Sequence, residues 1–193
     1  ERVCRVAFRR ARERRGKVSL IDKANVLPSM VFFREVFFEV AREFPDIQAE
    51  AFYVDAAALY LVTNPRQFDV LLTENMFGDI LSDEAAQLIG GLGMAPGANI
   101  GDNFAIFEPI HGSAPNRAGK QTANPLSMIL SAKMMLDWLA QQHNDPAAKK
   151  AADLIDKAVD LVLEEGKVIP RDLGGNAKTT EVGEEIAKKI RNL

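Results

Sequence analysis

The stretch that decides the fold is Thr73-Glu74-Asn75-Met76-Phe77-Gly78-Asp79-Ile80-Leu81-Ser82-Asp83-Glu84-Ala85-Ala86-Gln87-Leu88-Ile89-Gly90-Gly91. It follows an apolar run, Val70 to Leu72, that reads as a strand, and its own Phe77, Leu81, Ala85 and Leu88 recur at helical spacing. A strand therefore passes into a helix. On that helix Asp79 and Asp83 stand four apart, which sets their carboxylates on one face, one turn above the other. Two hard oxygen ligands at that spacing suit magnesium or manganese, which leave most coordination positions to water and an anionic substrate. The plain alternative is that Asp79 caps the helix or complements its positive end, and that Asp83 is solvated.

Upstream, Glu1 to Arg15 carries Val3, Ala7 and Ala11 at helical spacing, broadened by Val6 and Phe8, and Gly16 ends it. Lys17 to Asp22 reads as a strand, and Pro28 starts the next helix. Lys23 thus lies just past a strand end, where ligands bind in open α/β sheets, unless it is an ordinary surface lysine. The helix from Pro28 to Phe44 holds Phe32, Phe33, Phe37, Phe38 and Phe44 among Met30, Val31, Val36 and Val40. Its apolar residues exceed one stripe, so burial on two sides is expected, against its own sheet and a second subunit. Ala49 to Val54 is a further strand. Asp55 follows it at the head of a helix, repeating the position of Lys23, either as a third acidic ligand or as a helix cap.

Downstream, composition changes after Gly90-Gly91-Leu92-Gly93, which places a domain boundary there and divides the chain into 1–90 and 91–193. Met94 to Asn124 is rich in Gly, Pro and Asn, as suits binding loops, with short strands at Ala98 to Gly101 and Ala105 to Glu108. Glu108-Pro109-Ile110-His111-Gly112-Ser113-Ala114-Pro115 sets a histidine beside a tight turn, as a cofactor contact or a hydrogen-bonding filler. No G-x-G-x-x-G follows any strand, so a Rossmann dinucleotide site is not supported. From Pro125 the chain is helical, and Thr179 or Thr180 is placed to cap the last helix. The first 90 residues alternate helix and strand, which defines an α/β architecture of a sheet with flanking helices.

The 193 residues are 47% hydrophobic with a net charge of −3, which gives no general drive towards nucleic acid or anionic membrane. Eight Lys or Arg fall within the first seventeen residues and read as a solvated or partner-facing helix. Cys4 is the only cysteine, so no disulfide forms within the chain, which fits a reducing cytoplasm. No apolar run approaches the roughly 20 residues that span a bilayer. The opening at Glu1, inside a helix and without Met, reads as a processed product or the second part of a longer enzyme.

Four motifs occur in order along essentially the whole chain: Asp22-Lys23-Ala24-Asn25-Val26-Leu27, Tyr53-Val54-Asp55-Ala56, Asn75 to Asp83, and Glu108 to Pro115. Together the sequence resembles the C-terminal half or slightly more of the β-decarboxylating dehydrogenases. The resemblance implies an isopropylmalate/isocitrate dehydrogenase-like fold and oxidation of a 2-hydroxy acid, whose 2-keto product loses its β-carboxylate. The implied substrate is 3-isopropylmalate, in leucine biosynthesis, with homoisocitrate or isocitrate as alternatives. Ala24 argues against isocitrate, since isocitrate dehydrogenases usually have Gly there.

By the same resemblance, Asp79 and Asp83 hold Mg2+ or Mn2+ from one subunit of a homodimer, and Asp55 and the base Lys23 reach it from the other. Asn25 and Val26 border the substrate. Glu108, His111, Gly112, Ser113, Ala114, Asn116 and Asn124 match the region that receives the adenosine half of the cofactor. Asn116 stands where the family's NAD-selecting aspartate falls, and Arg117 follows it, so NAD is expected with weakened discrimination against NADP. The groups that grip the substrate carboxylates lie outside these residues, so the chain alone is expected to be inactive. A non-catalytic subunit of the same fold is the competing reading, and retention of Lys23, Asp55, Asp79 and Asp83 together argues against it.

Overall fold

Val18, Ser19, Leu20 and Ile21 are all fully buried, so the strand that carries them must be covered on both faces. In the computed structural model, which describes residues 1–193, they belong to β1 (Lys17–Asp22), the middle of a three-stranded parallel sheet. β2 (Gln48–Tyr53) pairs with it from Lys17 opposite Gln48 to Asp22 opposite Tyr53. On its other edge β3 (Val70–Thr73) pairs from Val18 opposite Val70 to Ile21 opposite Thr73. Chain order therefore reverses direction across β1, and the crevice at such a reversal is where open α/β sheets bind ligands.

The period of two sends Val18 and Leu20 into one core and Ile21 into another. The first core is filled by α1 (Arg2–Arg12) and α2 (Pro28–Ala41), through Cys4, Ala7, Phe8, Ala11, Phe37 and Val40. Phe8 stacks on Phe37 and Phe44 with ring centroids 5.4 and 5.1 Å apart. The second core is filled by α3 (Val54–Thr63) and α4 (Asn75–Gln87), through Ala57, Leu61 and Leu81.

Two expectations need correction in this unit. The buried stripe of α1 starts at Cys4, one residue later than the Val3 stripe, and Val3 and Val6 are exposed. That rotation lets its arginines clasp the rest of the unit. Arg5 bonds Glu43, Arg12 takes Asp46 bidentately at 2.7 Å, Arg14 reaches Asp69 at 2.9 Å, and Arg15 donates to the Phe68 carbonyl. The basic run is thus largely spent on internal ion pairs. In α2, Phe37 and Val40 are buried, whereas Val31, Phe32 and Phe38 face solvent within this chain, so only one of the two expected burials is made here.

The chain divides into two compact units, Glu1–Ala85 and Ala86–Leu193. In the second, the antiparallel hairpin of β4 (Pro96–Ile100) and β5 (Ala105–Pro109) precedes α5 (Leu126–His143), α6 (Pro146–Glu165) and α7 (Thr179–Asn192). The buried hydroxyls of Ser127 and Ser131 on α5 donate to the carbonyls of Ala95 and Glu108, fastening hairpin to helix. Asp145 caps α6 by accepting from the Ala147 and Ala148 amides. Neither Thr179 nor Thr180 caps α7. Its first turn is closed by Glu181, which accepts from the Lys178 amide at 2.8 Å, while the Thr179 hydroxyl donates to the Ala123 carbonyl. Met94, Leu126, Ala158, Val159, Val162, Val182 and Ile186 form the core beneath.

Candidate functional site

All three parallel strands of the first unit deliver a charged residue from their carboxyl ends. β1 leads to Lys23, β2 to Asp55 at the head of α3, and β3 to α4 with Asp79 and Asp83. Lys23 is held in a tight turn, because its carbonyl accepts from the amides of Val26 and Leu27 at 3.0 and 2.9 Å. Its ammonium donates to Asp55 Oδ1 at 2.7 Å. The lysine side chain is 24% exposed and the aspartate 70%, so the pair is open on the carboxylate side. That hydrogen bond holds the Asp55 carboxyl below its ordinary range. Asp55 lies in the first turn of α3, behind the cap residue Tyr53, which makes no side-chain cap bond. Asn25 and Val26 are both exposed on the same turn.

The capping alternative fails for Asp79, which lies beyond the first turn of α4. Glu74 performs that task, accepting from the Met76 amide at 3.0 Å and the Phe77 amide at 2.7 Å. Asp79 and Asp83 are exposed one turn apart, and neither carboxylate is taken up by an ion pair. Gly78 is required beside them, because a Cβ there would stand 2.5 Å from the Thr73 hydroxyl. Two unspent carboxylates at i and i+4 are a donor set that fits a hard divalent cation. Within one chain, however, no three His, Cys, Asp or Glu side chains converge on a common point, so Asp55 does not join Asp79 and Asp83 here.

The second unit holds a cleft of about 660 Å³. His111, Gly112, Ser113, Ala114 and Asn124 line it, while Glu108 and Asn116 do not. Glu108 lies on β5 and accepts from Asn99 Nδ2 at 3.2 Å. Ala114 is held at φ 41°, in the left-handed region that favours glycine, so the loop stores strain at the cleft wall. His111 Nδ1 lies 3.0 Å from the Gly112 carbonyl. Much of the lining is backbone and small side chain, as suits close approach to a flat ligand. Arg117 supplies a cation there and Asp172 a carboxylate.

Two residues that sequence reasoning did not single out matter to these sites. Asp172, from the turn before α7, accepts from Asn124 Nδ2 at 3.1 Å, and Asn124 in turn accepts from the Leu126 amide at 3.0 Å. Gly93 makes room for this contact, since a Cβ there would stand 2.7 Å from Asn124 Cβ. Asp22 is the other. Its carboxylate is wholly buried and takes Arg34 in a fork, Nε to Oδ2 at 2.6 Å and Nη2 to Oδ1 at 2.7 Å. The signal for it was a single arginine inside the Phe-rich run of α2.

A parallel sheet with charged groups at its strand ends, together with a second unit that holds a glycine-lined cleft, defines an α/β protein of the non-Rossmann type. The chain belongs to the isocitrate/isopropylmalate dehydrogenase family, which matches residues 1–186. It is 50% identical to the 3-isopropylmalate/3-methylmalate dehydrogenase of Methanocaldococcus jannaschii, over 99% of this chain and 57% of that protein. It is 51% identical to the homoisocitrate dehydrogenase of the same organism, over 99% of this chain and 53% of that protein. The crystal structure of isocitrate dehydrogenase from Methylococcus capsulatus superposes with a TM-score of 0.91 at 44% identity, covering 98% of this chain and 55% of that one. The chain thus spans about half the length of the relatives it matches.

Proposed function

We propose that the whole protein oxidises and decarboxylates a small 2-hydroxy acid, with 3-isopropylmalate as substrate, NAD as hydride acceptor and Mg2+ or Mn2+ as the metal. The observation that carries this reading is the Lys23–Asp55 pair at the carboxyl ends of β1 and β2, with the unpaired Asp79 and Asp83 on α4. Names of relatives in all three substrate classes support the reaction type. Names containing 3-isopropylmalate, such as that of the Methanothermobacter thermautotrophicus relative at 49% identity, support the substrate and its place in leucine biosynthesis.

In this reading Lys23 is the group that takes the hydroxyl proton of the substrate, at Nζ. Asp55 receives a hydrogen bond from the lysine and so holds its head group in place. Asp79 and Asp83 would hold the metal from α4, with Asp55 approaching from a second copy of the chain. A bound divalent cation supplies Lewis-acid stabilisation of negative charge on the substrate oxygen, and a bound nicotinamide accepts the hydride. Exposed Leu59 and Val62 on α3 and Met76 and Ile80 on α4 support a homodimer, since such side chains rarely stay wet together. Asn25 and Val26 extend from the Lys23 turn to border the substrate. His111, Gly112, Ser113, Ala114 and Asn124 receive the adenosine half of the cofactor in the cleft, with Glu108 and Asn116 on the flanking backbone. No helix is long and apolar enough to cross a membrane, and a cytoplasmic enzyme without nucleic-acid partners is the reading proposed.

Magnesium-dependent cofactor reduction by the whole protein, measured with 3-isopropylmalate, homoisocitrate and isocitrate in parallel and with NAD and NADP, tests this. The expected result is highest kcat/KM with 3-isopropylmalate and NAD. Higher kcat/KM with another of the acids would replace the substrate, and no reduction with any of them would remove the function.

A further inference from the structure

We propose that the ion pair between the buried Asp22 and the partly exposed Arg34 is a positioning clamp for Lys23, an inference that rests on the reading of Lys23 as the base. Both oxygens of the wholly buried Asp22 carboxylate are in use. Oδ1 accepts from Arg34 Nη2 and from the Ala24 amide at 3.0 Å, and Oδ2 accepts from Arg34 Nε. The Ala24 bond folds the backbone directly over Lys23, so the aspartate fixes the residue before the lysine and the residue after it.

Arg34 ties this turn to a second strand. Its guanidinium carbon stands 5.1 Å from the centre of the Tyr53 ring, and Tyr53 is opposite Asp22 in the β1–β2 register. Lys23 is one residue beyond Asp22, and Asp55 is two residues beyond Tyr53. The clamp therefore holds the two strand ends from which the 2.7 Å lysine–aspartate bond is made. An ion pair that takes a carboxylate wholly out of water is a weak source of net stability, because desolvation offsets much of its attraction. What the fork supplies is fixed geometry, in planar bidentate form, and arginine alone among the cations offers it.

Arg34→Lys tests the clamp, since it keeps the charge and replaces the fork by a single point. In the whole protein, kcat should fall by roughly 10- to 100-fold, as expected for misplacement of a catalytic group by about an ångström, with KM for the hydroxy acid and for NAD within about twofold. Amide exchange should rise about tenfold at Ala24, Val26 and Leu27, as the turn loosens locally, and stay unchanged from Val18 to Ile21. If Arg34→Lys does not fold, Asp22→Asn combined with Arg34→Gln removes both charges together, and the same local exchange and kcat loss are expected of it. Unchanged kcat with unchanged exchange would overturn the proposal. So would a loss of activity matched by faster exchange along all of β1, which is general destabilisation. Lys23→Met, assayed alongside, separates the two readings: if it turns over normally, Lys23 is not the base, and the exchange data alone then decide whether the clamp orders the turn.

Discussion

The two units build their binding surfaces from opposite materials. In the first, the candidate site consists of charged side chains presented by helices and strand ends: Lys23 and Asp55 in a 2.7 Å pair, and Asp79 and Asp83 on one helix face. In the second, the cleft is walled by glycines, by small side chains and by a loop strained at Ala114. The contrast teaches where each should fail. Removing one charge should silence the first unit and leave its fold intact, whereas adding one methyl should unsettle the second.

The largest effect is expected at Lys23. Lys23→Met keeps the apolar stem and removes the proton acceptor, so turnover of the whole protein should drop by roughly 10²- to 10⁴-fold. Circular dichroism and melting temperature should stay near those of the parent, because the lysine's only ion pair is with a largely exposed partner. Normal turnover would break the first half of the comparison.

A smaller and different effect is expected at Gly93. Gly93→Ala drives a Cβ against Asn124 and the Asp172 carboxylate, an overpacking that should destabilise the second unit by about 1–3 kcal/mol and weaken cofactor binding. Denaturant melts and cofactor titration of the variant read both. Parent-like values in each would show that the cleft wall yields, and that its glycines are incidental.

The smallest effect is a pH dependence at the arginine clasp of the first unit. Hydrogen bonds from Arg5 and Arg12 hold the carboxyls of Glu43 and Asp46 below their ordinary values. A depressed folded-state pKa gives stability that is present above the unfolded value and lost as pH falls through the folded one. Denaturation midpoints should therefore decline below about pH 4, modestly because these pairs are exposed, and less so in Arg12→Gln. An Arg12→Gln variant with the same acid limb as the parent would show that the clasp contributes nothing.

The sequence carried the first unit better than the second. β1 was legible to the residue, since Lys17 to Asp22 is bounded by Gly16 and by the turn towards Pro28. The α1 stripe was misread because Val3-Ala7-Ala11 and Cys4-Ala7-Phe8-Ala11 overlap, and only the partners of Arg5 and Arg12, more than thirty residues away, select between them. The i, i+4 pairing of Asp79 and Asp83 was visible from spacing alone, whereas their freedom from capping depends on Glu74, whose side chain turns back to the helix amides. Asp22 and Asp172 were missed for a common reason. Each acts through a contact that exists only after the chain has returned, Arg34 across the crossover from β1 and Asn124 across 48 residues.

The central claim is that the α4 carboxylates hold a divalent cation. Titration of Mn2+ into the whole protein, followed by electron paramagnetic resonance with the hydroxy acid present, addresses it directly. Asp79→Asn, which keeps size and removes the anionic ligand, should weaken Mn2+ binding by at least about tenfold while the melting temperature of the metal-free protein is unchanged. Equal Mn2+ affinity in Asp79→Asn and the parent would contradict the account.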